Sequence, residues 1–486
     1  MSGGLKKLAS ETIIYGSTTM IGRLLNWLLM PFYIRVLSPE EYGVVINFYS
    51  FISILLVIFT YGMETGFFRF SKSEKFASVY ASILSSLTVS GLLLIIIITF
   101  SSDFISNILY NGQFRVSIIL IGWIIAIDAF ISVPFANLRL NNKAIRFGII
   151  RLSGIFSNIF FNLFFLLLIP YLIKIEIIGK PYANYFESCT GVFYILLSNL
   201  ISSLLMFSFF ITEIFRLKGT FDKSIILGIL NYSWPFIIVG ITGMIIQNSD
   251  KILIPILRSD GFNELAVYAA NFKIGILMTL FTQSFRFAFE PYFFKNRDKG
   301  LSSYALIMDY FIAFGLFIFL GVTIFQDLIN ILLTKEYLYG NIVIPVVLMA
   351  QLFYGIYFNL SLWYKLTDRT YFGAIFGILG TIITLTLNFI TIPIFGMIGA
   401  AYSMLFGYGL MALFSALYGN KYFPVPYPLK RILLYFVAAL VLYIINKLVD
   451  IDFYLFRYLF KITILFVFIA IFVLLQGKSG IKILES

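Results

Sequence analysis

Long apolar stretches follow one another along almost the whole chain, each bounded by charged residues or by glycine and proline. A helix needs roughly 20 apolar residues to cross the hydrocarbon core of a bilayer. Because a helix satisfies all its backbone polar groups internally, each such stretch predicts a transmembrane helix. The stretches lie at about 12–37, 43–63, 79–100, 115–134, 147–173, 189–211, 230–257, 264–290, 302–325, 341–365, 372–394, 397–418, 430–446 and 454–475. We therefore predict an all-α polytopic membrane protein with about 14 transmembrane helices.

Lysine and arginine divide unequally between alternate loops of this arrangement. One set of loops, which includes both chain ends, holds 22 of these residues, and the other set holds 9. We call these the Lys/Arg-rich side and the Lys/Arg-poor side. Positively charged loops stay in the cytoplasm. The pattern therefore predicts a multi-pass protein of the bacterial cytoplasmic (inner) membrane with both termini in the cytoplasm.

The two halves of the chain share a weak repeat. Residues 64–69 read E-T-G-F-F-R and residues 290–295 read E-P-Y-F-F-K, each at the end of a predicted helix on the Lys/Arg-rich side. The repeat predicts an N-terminal lobe of six helices at 1–225 and a C-terminal lobe of six at 226–425. Two further helices and a cytoplasmic tail follow at 426–486. Two lobes around a central site are typical of alternating-access transporters.

Composition narrows the range of functions. Hydrophobic residues make up 60% of the chain and charged residues 12%, which fits a bilayer environment. The chain has no histidine and one cysteine, Cys189, so the commonest general base and metal ligand are absent. The formal charge of +12 resides mainly in short loops, where membrane topology explains it. We therefore predict no enzyme activity, no cofactor, no metal and no nucleic-acid partner.

Polar residues inside the first predicted helix point to a functional surface. Thr19, Arg23 and Asn26 share one helical face, and a charge at this depth is costly unless it meets a cavity or a partner. Two interpretations are open. The face either lines a cavity that holds an anion, or makes a structural contact with another helix.

The eighth predicted helix carries a longer polar stripe, in steps of three and four residues. Such a stripe does not favour contact with lipid. It either faces a substrate cavity, or packs against another helix while Arg286 and Glu290 satisfy each other. Its members are Asn271, Gly275, Met278, Thr282, Arg286 and Glu290.

Three acidic residues are candidates for ion coupling or gating. Asp250 ends the seventh predicted helix, where Lys251 offers a partner beside it. Glu64 ends the second helix and has Arg69 or Arg23 as candidate partners. Glu290, at the end of the stripe, is the third.

Short motifs rich in glycine, proline and aromatic residues give the chain a resemblance to a known family. Residues 22–26 read G-R-L-L-N, residues 31–43 read P-F-Y-I-R-V-L-S-P-E-E-Y-G, and residues 388–401 read N-F-I-T-I-P-I-F-G-M-I-G-A-A. This order and spacing resembles the Wzx-type polysaccharide flippases, whose superfamily also holds lipid II flippases and multidrug/cation antiporters. Lys365 and Arg369 resemble the basic turn of that family after the tenth helix.

The resemblance implies a flippase that moves a polyprenyl-diphosphate-linked oligosaccharide to the outer leaflet for surface polysaccharide (O-antigen-type) synthesis. Its substrate would enter a central cationic cavity, with a lateral opening between helices 1 and 8. In that cavity Arg23 and Arg286 would bind the diphosphate, because guanidinium groups match phosphate oxygens in a bidentate way. Sugar hydroxyls would meet Asn26, Asn271 and Thr282. A polysaccharide polymerase and chain-length proteins are implied partners, beside membrane lipids.

Two other functions stay open at this point. A multidrug/cation antiporter of the same superfamily would need acidic cavity residues, against which Arg23 argues. A membrane-embedded glycan polymerase or transferase would place its acid and base groups on a large outer loop, whereas all loops here are short.

Overall fold

A computed structural model describes residues 2–72, 75–216, 219–295 and 301–484 of the protein. Within these residues the chain forms helices and no strands. We number the long helices α1 to α14 in chain order. They are α1 (Ser2–Val36), α2 (Pro39–Phe70), α3 (Phe76–Tyr110), α4 (Arg115–Leu140), α5 (Ala144–Lys174), α6 (Gly191–Ser208), α7 (Lys223–Leu257), α8 (Gly261–Ile274 and Ile276–Lys295), α9 (Leu301–Ile324), α10 (Lys335–Leu366), α11 (Tyr371–Phe395), α12 (Met397–Tyr422), α13 (Leu429–Leu448) and α14 (Tyr454–Leu484).

The prediction of an all-helical membrane protein is confirmed. Twelve helices in the described ranges are long and apolar enough to cross a membrane, and the bent pair that forms α8 makes a thirteenth. The one predicted span that remains is the first, α1. It is a continuous helix of 35 residues, but it is less apolar than the helices counted here. Arg23 and Asn26 in its middle contribute to this shortfall. One short helix, Lys180–Glu187, lies between α5 and α6.

The chain divides into two compact units, Met1–Ala266 and Val267–Ser486. In the first unit α4 packs against α2, α3 and α6, while α5 packs against α1 and α6. In the second unit α10 packs against α8, α9 and α12, α11 packs against α12, and α13 and α14 pack against α9.

The seventh helix belongs to the first unit because it packs along α2. Gly62 and Gly66 of α2 let α7 approach closely, since a Cβ atom on them would lie 2.7 Å from Ser233 Cβ and 2.2 Å from Ile229 Cγ2. Gly62 has φ +69°, a conformation that favours glycine, and it separates the two segments of α2. The lobe boundary at residue 225, which rested on the sequence repeat, stays a prediction.

The junction between α1 and α2 is set by the residues 38–43, S-P-E-E-Y-G. Ser38 Oγ accepts the backbone N–H of Glu41 at 3.2 Å, and a Glu41 carboxylate oxygen accepts the N–H of Ser38 at 3.2 Å. This reciprocal capping box starts α2. The second carboxylate oxygen of Glu41 accepts the N–H of Gly191 at 3.1 Å and so caps α6 as well. The motif therefore positions two helix starts with one side chain.

Candidate functional site

In the first unit, α1 lies along α5. A Cβ atom on Gly22 would lie 2.6 Å from Ile155 Cδ1, so the two helices approach closely there. The Tyr33 hydroxyl donates to Asn162 Oδ1 at 3.0 Å. Arg23 and Asn26 are both exposed. An exposed guanidinium and amide on a helix of a membrane protein can bind an anion and its hydroxyl-bearing neighbour.

Glu64 forms an ion pair that the sequence did not identify. Its carboxylate accepts a hydrogen bond from Arg139 of α4, not from Arg69 or Arg23. The Arg139 guanidinium also lies 5.3 Å from the Phe68 ring centroid, while Arg69 lies over the ring of Tyr232. The pair joins the Lys/Arg-rich ends of α2 and α4, and a gating role for Glu64 stays a prediction.

Asp250 is buried, 2% exposed, and pairs with its neighbour Lys251 at 3.0 Å, which is the pairing that the sequence offered. The Lys251 ammonium group also donates to the carbonyl of Gln247 at 2.7 Å. The Lys251 carbonyl accepts a hydrogen bond from Asn47 of α2 at 2.9 Å, and Tyr110 of α3 donates to Asn47 at 2.6 Å. The ion pair thus lies beside a buried contact between three helices, which is a structural setting; coupling through Asp250 stays a prediction.

In the second unit, the stripe of α8 is interrupted. The helix bends by 44° between Ile274 and Ile276. Asn271 is fully buried and donates to the carbonyls of Val267 and Tyr337, both at 2.9 Å. Thr282 is 7% exposed and lies against Gly355 of α10. Asn271 and Thr282 are therefore packed against another helix. Their contact with sugar hydroxyls stays a prediction. The side chains of Thr19 and Glu290 lie outside the described residues.

Arg286, further along the stripe, is exposed and takes part in a cation–aromatic cluster. Its guanidinium carbon lies 4.1 Å from the ring centroid of Phe358 on α10. The ammonium nitrogen of Lys365 lies 4.6 Å from the same centroid. Both cations thus lie over the ring of Phe358, whose faces carry the negative part of its quadrupole. We call Arg286, Phe358 and Lys365 the dication cluster.

A second cluster of the same kind lies near the Lys/Arg-rich end of the unit. The Arg369 guanidinium carbon lies 3.9 Å from the Tyr422 ring centroid, and the Lys421 nitrogen lies 5.8 Å from it. Lys365 and Arg369 are the basic turn that the family resemblance singled out. Phe358 has no sequence signal of its own, because one phenylalanine among 56 does not stand out.

Sequence reasoning missed a buried carboxylate in α9. Asp309 is fully buried, accepts a hydrogen bond from Arg431 Nε of α13 at 3.2 Å and one from Gln476 of α14 at 2.6 Å, and its second oxygen forms an ion pair with Arg431 Nη2 at 2.9 Å. A carboxylate within the apolar run 302–325 was a signal that could have found it. Within the described residues no group of three or more histidine, cysteine, aspartate or glutamate side chains could hold a metal ion.

Comparisons with known proteins agree on the architecture. The structure of the lipid II flippase MurJ in an inward closed conformation is 18% identical, with a TM-score of 0.74, and the match covers 95% of this chain and 98% of that one. An inward-facing multidrug resistance MATE family transporter of the MOP superfamily is 15% identical, with a TM-score of 0.63 and coverage of 84% and 97%. At these identities the likeness concerns the fold alone.

Comparison with family models shows the family of the chain as well as its fold. A comparison with curated proteins found no match. Residues 8–297, which are more than half of the chain, match the model of a family described as polysaccharide biosynthesis protein. The resemblance that residues 22–43 carried is thereby confirmed, and the chain belongs to the polysaccharide biosynthesis protein family.

Proposed function

We propose that the protein is a flippase that moves a polyprenyl-diphosphate-linked oligosaccharide from the inner to the outer leaflet of the bacterial cytoplasmic membrane. Such a head group cannot cross hydrocarbon unaided, because its hydroxyls and its diphosphate would lose their hydration. The protein belongs to a polysaccharide biosynthesis family and has the fold of a lipid II flippase, which makes a lipid-linked glycan the natural substrate class.

The observation that carries the proposal is the dication cluster. Two cations, one from α8 and one from α10, lie over the same ring, and together they offer two positive charges to a ligand that carries two negative charges. A diphosphate has that charge distribution, and Arg286 offers it the bidentate geometry that guanidinium groups prefer. In the first unit, Arg23 and Asn26 are exposed on α1, where they offer an anionic head group a cation and a hydroxyl-binding amide.

Transport then follows the charge of the head group. In alternating access, the site opens first to one side of the membrane and then to the other. An inside-negative potential favours outward movement of an anion by about 2.3 kcal/mol per charge per 100 mV. The prenyl tail stays in the lipid throughout, because it is apolar and has no favourable hydration to lose there.

The test is polysaccharide export in a strain that depends on this protein. We expect Arg286→Ala combined with Lys365→Ala to reduce export about tenfold or more, because a charge-assisted hydrogen bond contributes about 1.5–3 kcal/mol and 1.4 kcal/mol is a factor of ten. Untranslocated lipid-linked glycan should accumulate. Arg115→Ala is the matched control, since it removes an exposed arginine of the first unit that pairs with Asp103 at 2.8 Å.

Two outcomes contradict the proposal. Full export by an Arg23→Ala, Arg286→Ala variant at normal protein level would exclude a cationic substrate site. Drug sensitivity without accumulated glycan in the deletion strain would favour the second candidate, a multidrug antiporter, which the MATE-like fold supports.

A further inference from the structure

A cleft of about 430 Å³ opens in the first unit at the Lys/Arg-poor ends of its helices. The start of α2, the end of α3, the end of α7 and the start of α8 form its walls. Its volume lies in the range of small-molecule binding pockets. The Lys/Arg count predicts that this side faces outward, where a translocated glycan would emerge.

The walls of the cleft are held rigidly. Asn47 is fixed by Tyr110 and by the Lys251 carbonyl, as described above. The backbone of Gly43 touches the Phe262 carbonyl, since a Cβ atom there would lie 2.0 Å from that oxygen. The Phe262 ring stacks on Tyr110 with centroids 5.6 Å apart and planes 22° apart. A rigid cleft loses less conformational entropy when it binds a ligand than a flexible cleft does.

Most polar side chains that line the cleft are carboxylates and amides. They are Glu40, Asn47, Asn111, Asp260 and Asn263, with the hydroxyl of Ser259 beside them, and the Asn263 amide donates to Asp260 at 2.6 Å. Its residues include neither lysine nor arginine, so a diphosphate would be repelled rather than bound. Carboxylate oxygens accept hydrogen bonds from hydroxyls, and amides both donate and accept them.

Apolar walls complete the chemistry. The cleft is also lined by Phe51 and Phe262, and an aromatic ring is a surface on which the C–H face of a pyranose can pack. Hydroxyl-binding acidic and amide groups beside aromatic rings match a neutral sugar better than a lipid or an anion. We propose that this cleft is a sugar-binding subsite that receives the glycan part of the substrate on the Lys/Arg-poor side. The inference rests on the proposed function.

The test uses the full chain in lipid nanodiscs and, as probe, the repeat-unit oligosaccharide of the host's own surface polysaccharide, freed of lipid and phosphate. Saturation-transfer NMR should detect saturable binding to the wild type. Ser259→Trp, which fills the cleft from an exposed lining position, should weaken binding at least fivefold. Asp260→Asn combined with Asn263→Ala should do the same, because it removes a carboxylate charge and an amide.

The matched control is Asn184→Ala with Glu187→Gln. Both residues are exposed in the short helix Lys180–Glu187, on the same side of the chain but outside the cleft, so binding should not change. Melting temperatures verify that each variant is folded.

Three results would overturn the subsite: no binding by the wild type, binding that Ser259→Trp leaves intact, or binding that needs added Ca²⁺ and is lost with a chelator. The last would assign Glu40 and Asp260 to a cation. The export test on Arg286 and Lys365 is independent of these results. Loss of export in that test without sugar binding here refutes the subsite alone, whereas full export with sugar binding refutes the diphosphate site alone.

Discussion

Asp327 lies in the segment that follows α9, and its carboxylate binds side chains at the start of α14. It accepts hydrogen bonds from Lys461 at 2.7 Å and from Tyr458 at 2.8 Å. Burial raises the pKa of Asp327, but these hydrogen bonds outweigh that effect and hold the pKa below its ordinary value. A carboxylate with a depressed folded-state pKa stabilises the fold above its unfolded pKa, about 3.9, and loses that contribution as the pH falls through the folded pKa.

We therefore expect Asp327→Asn to lower the melting temperature by the same amount at every pH from about 5 to 8. Below about pH 4 the two melting curves should converge, because the wild-type carboxyl becomes neutral as well. Thermal melting of purified protein across this pH range measures both effects. A difference that grows between pH 5 and 8 would mean that the anchor depends on another titrating group.

Residue-level prediction from sequence is limited to what a single helix decides. The 3.6-residue period identified Arg286 as a polar position of α8, and the structure exposes it. The same period grouped Asn271 and Thr282 with it, yet α10 buries both. Periodicity tells which residues share a face but not which neighbour covers that face. Lys365 joined Arg286 only through Phe358, a contact between helices that one sequence does not encode locally.

At the scale of elements, glycine determines how closely helices meet. Gly43 lies where α2 touches the start of α8, and a Cβ atom there would be 2.0 Å from the backbone oxygen of Phe262. Backbone cannot yield as a flexible side chain can. We expect Gly43→Ala to lower the melting temperature and the yield of folded protein, with a loss in the range of about 1–3 kcal/mol typical of overpacking.

Gly321→Ala in α9 is the matched control. A Cβ atom on Gly321 would have no heavy atom within 4 Å, so the substitution should be neutral or stabilising by up to about 1 kcal/mol through helix propensity. Fluorescence-detected size-exclusion chromatography after heating compares the two variants. Equal stability of both would show that the contact at Gly43 relaxes freely.

The breaks within helices α2 and α8 could not be predicted from the sequence, for a physical reason. Hydrophobicity fixed the existence of the helices, because the bilayer imposes one length on each. The bend at Gly275 depends on α10, since a Cβ atom at Gly275 would lie 2.8 Å from Val347 Cγ1. The interruption of α2 at Gly62 depends in the same way on its packing against α7. Such contacts between distant segments leave no periodic trace in either one.

For the whole molecule, the least predictable part was the C-terminal pair α13 and α14, whose role was inferred from family resemblance alone. The structure ties both helices to α9 at one level, and it ties α14 to the segment after α9 at a second level. Near one end Asp309 binds Arg431 of α13 and Gln476 of α14, and beyond the other end Asp327 binds Lys461 of α14. The pair therefore forms one body with the helices of the second unit.

The buried pair of Asp309 and Arg431 gives this arrangement a sharp test. Removing one partner of a buried ion pair leaves an uncompensated charge and costs about 3–5 kcal/mol, whereas replacing both partners costs far less. Arg431→Ala should thus destabilise the protein strongly, and adding Asp309→Asn to that variant should restore much of the loss. Lys430→Ala, which removes an exposed cation beside Arg431, is the control and should have little effect. Melting temperatures of the single and double variants measure the coupling. If Asp309→Asn destabilises the Arg431→Ala variant further, the two side chains are not coupled as an ion pair, and the attachment of α13 to α9 rests on contacts other than this pair.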